Sequence, residues 1–375
     1  MPPIPRRRAP AVLATAALVV SAACSGGGGG SGGGDAGPEG PARAATGAPL
    51  RLGLINQENA AVGSFPELRR GAQAAVRYVN QRLGGVGGRP IVLSVCTTNG
   101  SPESSQACAN QVLEAKPVAV LGGLDLGAAS SLRVFAKTGV AYVGGSPTLG
   151  AELTSSAAFM FSGGTAADLL GQLDYILGTL KAKRASFIYL DLGGLTSAVA
   201  KVAQRVLEKK GLDSVKLVAT RSDAPDFTPV VTAATRSKPD VIVVALPAQG
   251  CARVMQAAKA LGVKARIFYP GACAEQQVIE GAGGGAEGAY FATGYLPYNA
   301  ADAPNVAVYR RELKRSDAGR PSLLSETGFS LVMDLRSVLE GIEAPITAAS
   351  VMAAVKATRG QASFLGHAFT CDGRQ

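Results

Sequence analysis

The chain has 375 residues, of which 47% are apolar and 17% charged, and its formal charge is +10. These proportions exclude a disordered or collagen-like chain and fit a globular protein with a buried core. Three of the ten excess positive charges are Arg6, Arg7 and Arg8. The other basic residues (Lys181, Lys183, Lys209, Lys210, Arg310 and Arg311 among them) are scattered without interleaved aromatics, which argues against a nucleic-acid groove.

In chain order, the three arginines precede an apolar run, Ala11–Val20, and then Ser21, Ala22, Ala23 and Cys24. A basic start, a short apolar stretch and small residues are the pattern of a secretory signal. The run is too short to span a bilayer as a helix. The cysteine after the small pair resembles a bacterial lipoprotein signal, with Ser21 where leucine is usual. That likeness implies a signal over residues 1–23 and lipidation of Cys24, which holds the protein on the outer face of the bacterial cell membrane. The alternative is a plain secreted protein with an incidental cysteine. Residues 24–49, rich in Gly, Ser and Pro, read as a flexible tether with a reach of roughly 25–30 Å.

From Leu50 onward, continuous apolar runs alternate with amphipathic stretches. Strands are expected at Leu52–Ile55, Ile91–Cys96, Val118–Leu121, Ala141–Val143, Ser186–Leu190, Val215–Val218, Val241–Leu246, Ile267–Tyr269 and Ala289–Thr293. Helices are expected at 67–83, 104–115, 128–138, 166–181, 196–210, 227–237, 250–261 and 274–281, then at 304–316, 323–341 and 347–358. Apolar strands separated by helices imply parallel sheets covered on both faces. The alternation pauses near Phe159–Thr165 and resumes, so the expected fold is α/β with two doubly wound lobes. Roughly 325 residues also favour two domains over one. Ligands of such sheets bind beyond the carboxyl ends of the strands. The loops of interest are therefore 56–66, 122–129, 144–153, 191–196, 247–250 and 271–275, facing one another across a cleft.

Six cysteines suit an oxidising compartment. With Cys24 assigned to lipid, the spacing suggests two local bridges, Cys96 to Cys108 and Cys251 to Cys273, each joining a strand end to a neighbouring element. Cys371 is then left over, and its partner is expected in a segment beyond Gln375. Metal ligation is not expected, since there is no Cys-x-x-Cys and the one histidine is His367.

Enzyme readings find little support. A Ser-His-Asp mechanism needs a histidine against a nucleophile, and Gly144-Gly145-Ser146-Pro147 lacks the final glycine of a nucleophile elbow. There is no Gly-Lys-Ser/Thr phosphate loop, and Gly283–Gly288 matches Gly-x-Gly-x-x-Gly only in the reversed helix-to-strand context. Asp125, Asp191 and Glu58 sit on strand-end loops and suggest paired carboxylates of a hydrolase, but the commoner reading is charged residues on a cleft rim. No enzyme activity and no cofactor are expected.

Three segments, "LRLGLINQENAAVGSFPELRRGAQAAVRYVNQRLGGVGGRPIVL" from Leu50, "AKPVAVLGG" from Ala115 and "AYVGGSPTLGAELT" from Ala141, are similar to the type I periplasmic-binding-protein family, leucine/isoleucine/valine-binding branch. The resemblance covers nearly all of 50–375. It implies two Rossmann-like lobes joined by a three-strand hinge, lobe 1 from 50–162 and 296–360 and lobe 2 from 163–295 and 361–375. It also implies capture of a small solute and delivery to an ABC transporter permease, by a monomer. The same fold serves ligand-sensing receptors, which is the alternative reading. Carrying the site over gives Ser146 and Thr148 as hydroxyl donors to a ligand carboxylate, with Asn56, Glu58, Ser64, Phe65 and Asp125 around them in lobe 1. Asp191, Leu192 and Gln249 face them from lobe 2. The sequence departs from the branch where an acid normally takes a ligand ammonium: Ala248 and Gln249 stand there. The branch's usual tyrosine is replaced by the loop Asp191–Gly194. A ligand of lower charge, held through amide and apolar contacts, fits these departures.

Overall fold

The computed structural model describes residues 41–371 except 59, 61–62, 148–149, 192–194, 222–223, 301 and 344, and gives the backbone alone for 165–166, 195–199 and 202. The predicted signal, Cys24, Thr148 and Leu192 therefore lie outside the described residues.

The first sheet consists of β1 (Leu50–Gln57), β2 (Ile91–Thr98), β3 (Ala119–Gly122), β4 (Ala141–Val143) and β5 (Ala158–Phe159) in the spatial order β2-β1-β3-β4-β5. The second consists of β6 (Arg184–Leu190), β7 (Ser214–Thr220), β8 (Val241–Ala245), β9 (Arg266–Pro270) and β10 (Tyr290–Ala292), in the order β7-β6-β8-β9-β10. Each sheet thus repeats the pattern second-first-third-fourth-fifth, and every pair is parallel. The two-lobe α/β fold expected from the alternation is the fold found.

Strand residues alternate between two cores on either side of each sheet, as a pleat of period two requires. Leu52 and Leu54 of β1 join the cluster that faces helices α1 (Pro66–Arg82), α10 (Pro304–Arg315), α11 (Leu323–Glu340) and α12 (Ala348–Ala357). Ile55 joins the opposite cluster, under α2 (Pro102–Glu114) and α3 (Ala128–Thr138). In the second lobe Ile242 and Val244 face α7 (Thr228–Thr235), α8 (Ala248–Ala260) and α9 (Gln276–Gly281). Val241 and Val243 face the side of α5 (Gly164–Asp174) and α6 (Leu195–Lys209).

Three details differ from the expected elements. The loop after β4 contains a short helix, α4 (Gly150–Thr154), followed by β5, and both are too short to leave a periodic signal. The helix expected over 166–181 ends as α5, followed by a π turn, Tyr175–Thr179, and Lys181 at φ 51°. The segment after α12, expected in lobe 2, is tied to lobe 1: Leu365, Phe369 and Cys371 are buried in the α1–α11 cluster. Phe369 stacks on Phe161 with centroids 4.3 Å apart, and a bridge joins Tyr295 to Gly366.

Both expected disulfides are present, Cys96–Cys108 and Cys251–Cys273, with Cα separations of 5.4 and 5.8 Å. Cys371 is buried and outside these two bridges, its Sγ 3.9 Å from the Met160 carbonyl.

The tightest helix contact is α1 on α11. A Cβ on Gly71 would strike the Ser325 carbonyl, and one on Gly328 would strike the Leu68 carbonyl. Glycine costs a helix about 0.5–1 kcal/mol relative to alanine, and here it lets two backbones touch. Gly71→Ala is expected to destabilise the fold by about 2–3 kcal/mol through overpacking, read as a fall of several degrees in Tm. An unchanged Tm would show that the helices have room to separate.

Candidate functional site

In the order second-first-third, the chain leaves the first strand on one side and the third on the other, which opens a crevice at their carboxyl ends. In the first lobe that crevice lies between β1 and β3, and its floor is heavily cross-linked. Asn56, fully buried at the end of β1, donates to the Phe65 carbonyl at 2.8 Å and accepts from Leu124 N at 3.2 Å. Gln57 donates to the Gly63 carbonyl at 2.9 Å and accepts from Leu126 N at 3.1 Å. Two consecutive amides thus tie the loop before α1 to the loop after β3. Sequence reading singled out Asn56 and missed Gln57, whose side chain does the same work one residue on.

The two acids expected on this rim are buried and engaged. Asp125 is 0% exposed. It accepts from Thr98 Oγ1 at 2.9 Å, Ser105 Oγ at 2.6 Å and Gly127 N at 3.1 Å. It therefore joins the end of β2 and the starts of α2 and α3. Glu58 is 7% exposed and bidentate with Arg69, at 2.8 and 3.0 Å, and it also accepts from Asn56 at 3.2 Å. Burial raises its pKa, but the Arg69 and Asn56 hydrogen bonds outweigh burial and hold it below the usual glutamate value.

The loop after β4 carries the hydroxyl expected to meet a ligand. Gly144 and Gly145 have φ of 69° and 86°, a turn that glycine alone adopts without strain. They swing half-buried Ser146 beside the β3 loop, where its N–H donates to the Gly123 carbonyl at 3.3 Å. The segment after β5 is pinned to the same turn by Ser162 Oγ, which donates to the Gly145 carbonyl at 3.2 Å. Ser64 is exposed and Phe65 half-buried at the start of α1, with the Phe65 ring over Gly63. In the second lobe Asp191 follows β6 and Gln249 lies in the first turn of α8, both exposed at the corresponding crevice between β6 and β8. The structure thus puts Asn56, Glu58, Phe65, Asp125 and Ser146 around one crevice, and Asp191 and Gln249 at the other.

A separate cavity of about 680 Å³ has Met160, Phe161, Asp168, Tyr175, Tyr290 and Phe369 in its wall. None of the residues expected from sequence lines it. Burial in this apolar setting raises Asp168 to about 6.

Two outcomes follow from the engaged acids. Asp125→Ala strands three buried donors and is expected to cost about 3 kcal/mol, read from the urea midpoint; a loss under about 0.5 kcal/mol would mean the carboxylate is not the node described. Because the Glu58 pKa is lowered on folding, its contribution is complete above the unfolded value and is lost as pH falls through the folded one. Glu58→Gln should accordingly flatten the acid limb of the stability profile below about pH 4.5, and an unaltered limb would assign that dependence to other groups.

Comparison with known proteins agrees with this architecture. Residues 49–375 match the family described as periplasmic binding protein. A Leu/Ile/Val-binding protein homolog from Brucella melitensis is 26% identical over 194 residues, covering 50% of this chain and 52% of its own length. The match therefore spans about half of that relative. A leucine-binding protein from Thermotoga maritima superimposes with a TM-score of 0.67 at 17% identity, over 87% of this chain and 92% of that one. A fatty acid ABC transporter substrate-binding protein from Thermomonospora curvata gives 0.70 at 18% identity, over 89% and 87%. Among the described residues no helix is long and apolar enough to cross a membrane. With paired parallel sheets of one strand order and a family match that runs from residue 49 to the last residue, the chain belongs to the periplasmic binding proteins, a family of extracytoplasmic solute-binding proteins rather than enzymes.

Proposed function

We propose that the chain is the solute-binding component of an ABC importer, held at the membrane by a lipid on Cys24, and that it closes its two lobes on a small organic solute. The observation that carries this reading is the duplicated strand order, which gives each lobe a crevice at the carboxyl ends of its strands. Contacts to a solute from both lobes stabilise the closed arrangement over the open one, and that difference is what a membrane permease would read.

The solute class we favour is an amino acid, an amide or a related metabolite. Ser146, Thr148 and the backbone N–H groups of the neighbouring loops suit a carboxylate or amide oxygen. The solutes named for the Thermotoga and Thermomonospora proteins, leucine and fatty acid, share a carboxylate and differ in the rest. Glu58 and Asp125 are engaged by Arg69 and by Thr98, Ser105 and Gly127, which supports recognition without a dedicated ammonium-binding acid in lobe 1.

A thermal-shift screen of the soluble chain without Cys24, against amino acids, amides, short acids, polyamines and sugars, tests the reading. A solute at a hundred times its Kd adds about 2.7 kcal/mol and raises Tm. Recovery of the solute unchanged separates binding from turnover. In the Ser146→Ala/Thr148→Ala variant, affinity is expected to fall at least about tenfold, the equivalent of one charge-assisted hydrogen bond, with Tm of the free protein unchanged. Unchanged affinity would remove this loop from the site.

A further inference from the structure

The seam between the lobes holds two carboxyls that the solute site does not use. Glu275 belongs to lobe 2: it follows the 3₁₀ turn Gly271–Ala274 at the carboxyl end of β9. Its Oε1 accepts from Leu323 N at 3.0 Å. Leu323 opens α11, which belongs to lobe 1 through its packing on α1. The neighbouring Ala274 carbonyl accepts from Tyr298 Oη at 2.7 Å, and Tyr298 is buried in the lobe 1 cluster. The β9 loop of one lobe is therefore seated on the start of a helix of the other.

Glu326, in the first turn of the same helix, is 0% exposed, and neither of its carboxyl oxygens has a hydrogen-bond partner among the described residues. A buried ionised carboxylate without a partner is strongly disfavoured. The groups around the two acids offer little relief. On α1, Glu67 faces Glu275 and adds like charge, and Arg70 is engaged with Glu67 at 2.7 Å. Tyr309 of α10 and Tyr298 both sense the two carboxyls, and Tyr295 senses Glu326. The Tyr309 hydroxyl is engaged with Ser322 and Ser325.

We propose that Glu275 and Glu326 form a proton-operated latch across the lobe seam. With the pair protonated, the β9 loop rests on the start of α11. When both are ionised, they repel each other and Glu67, and the lobes separate at this edge.

The direction follows from linkage. Burial raises Glu275 to about 7, against the Leu323 N–H, which lowers it, and with the Glu67 charge adding. Burial raises Glu326 to about 9, with the Glu275 charge adding. Opening the seam to water returns both toward the ordinary value of 4.5. The seated arrangement therefore binds protons more tightly and is favoured by acid. Its advantage shrinks as pH rises above the open-state value, through the Glu275 pKa and then the Glu326 pKa.

The proposal rests on the two-lobe reading, and its test uses the full chain with no solute, so its outcome is independent of whether a solute is found. The readouts are amide hydrogen exchange at Leu323, corrected for intrinsic exchange at each pH, and the radius of gyration from solution scattering. Between pH 6 and pH 9, Leu323 protection is expected to fall at least about tenfold, one pKa unit of linkage. The radius should grow over the same interval, and amides in the middle of β1 and β6 should keep their protection. Glu275→Gln keeps an oxygen to accept from Leu323 N while removing the charge. That variant and Glu326→Gln should each make the fall at least about threefold smaller than in the unaltered chain, half a pKa unit, and the Glu275→Gln/Glu326→Gln protein should show a fall of less than about threefold. No fall in the unaltered chain, or the same tenfold fall in the Glu275→Gln/Glu326→Gln protein, overturns the latch. If Glu326→Gln does not fold, Glu275→Gln alone decides the matter.

Discussion

A sheet made only of parallel strands has to be covered on both faces, because every strand return needs a crossover and the crossover helices lie on the faces. Both sheets here are wholly parallel, and much of the rest of the structure follows from that requirement. Strand residues must be apolar on both sides, which explains runs such as Val241–Val244 with every residue buried. Helices must divide between the faces, and the division reverses at the first strand. The reversal opens the crevice where β1 and β3, or β6 and β8, diverge. Solute capture is thus a consequence of how the chain covers its sheets, and the solute's identity is left to the loops.

The first-lobe crevice is built to be rigid. Asn56, Gln57 and Asp125 hydrogen-bond to backbone or hydroxyl groups of adjacent loops, Asn56 donates as well to the Glu58 carboxylate, and each is buried. A satisfied buried network of this kind fixes loop positions, since any displacement would strand several polar groups at once. Under the proposed solute site, loops already fixed in this way would lose less entropy when a solute arrives.

The fold was readable because its signals are long and repeated. Eight-residue apolar strands and helices of a dozen residues carry a period that survives without knowledge of contacts. The disulfides were readable for a related reason: a cysteine at a strand end and another in the next element must come close in a parallel sheet. The five residues of α4 and the two of β5 carry no such period. Nor does the sequence reveal that Leu365 and Phe369 belong with the α1–α11 core, because part of that contact, Phe369 on Phe161, joins the chain's end to the segment after β5, far back in sequence. For the site, position was legible and role was not. Glu58 and Asp125 do lie at strand ends, as expected, but their partners Arg69, Thr98 and Ser105 are 11, 27 and 20 residues away in sequence. A charged residue at a loop reads as a rim residue until those partners are placed beside it.

Glu58 and Glu326 show how much depends on such partners. Both are glutamates, both are nearly or fully buried, and burial pushes both toward the neutral form. At Glu58 the Arg69 guanidinium supplies two charge-assisted hydrogen bonds and turns the balance toward the carboxylate. At Glu326 no such partner stands among the described residues, the Glu275 charge adds to the effect of burial, and the balance goes the other way. One residue type therefore serves as a permanent anion that fastens a loop in lobe 1 and as a proton-holding group at the lobe seam. The difference is set chiefly by Arg69 on α1, with the Asn56 hydrogen bond adding to it. In the proposed opening and closing, this division keeps Glu58 charged at the first-lobe crevice, while the edge that would part carries the groups whose charge responds to pH.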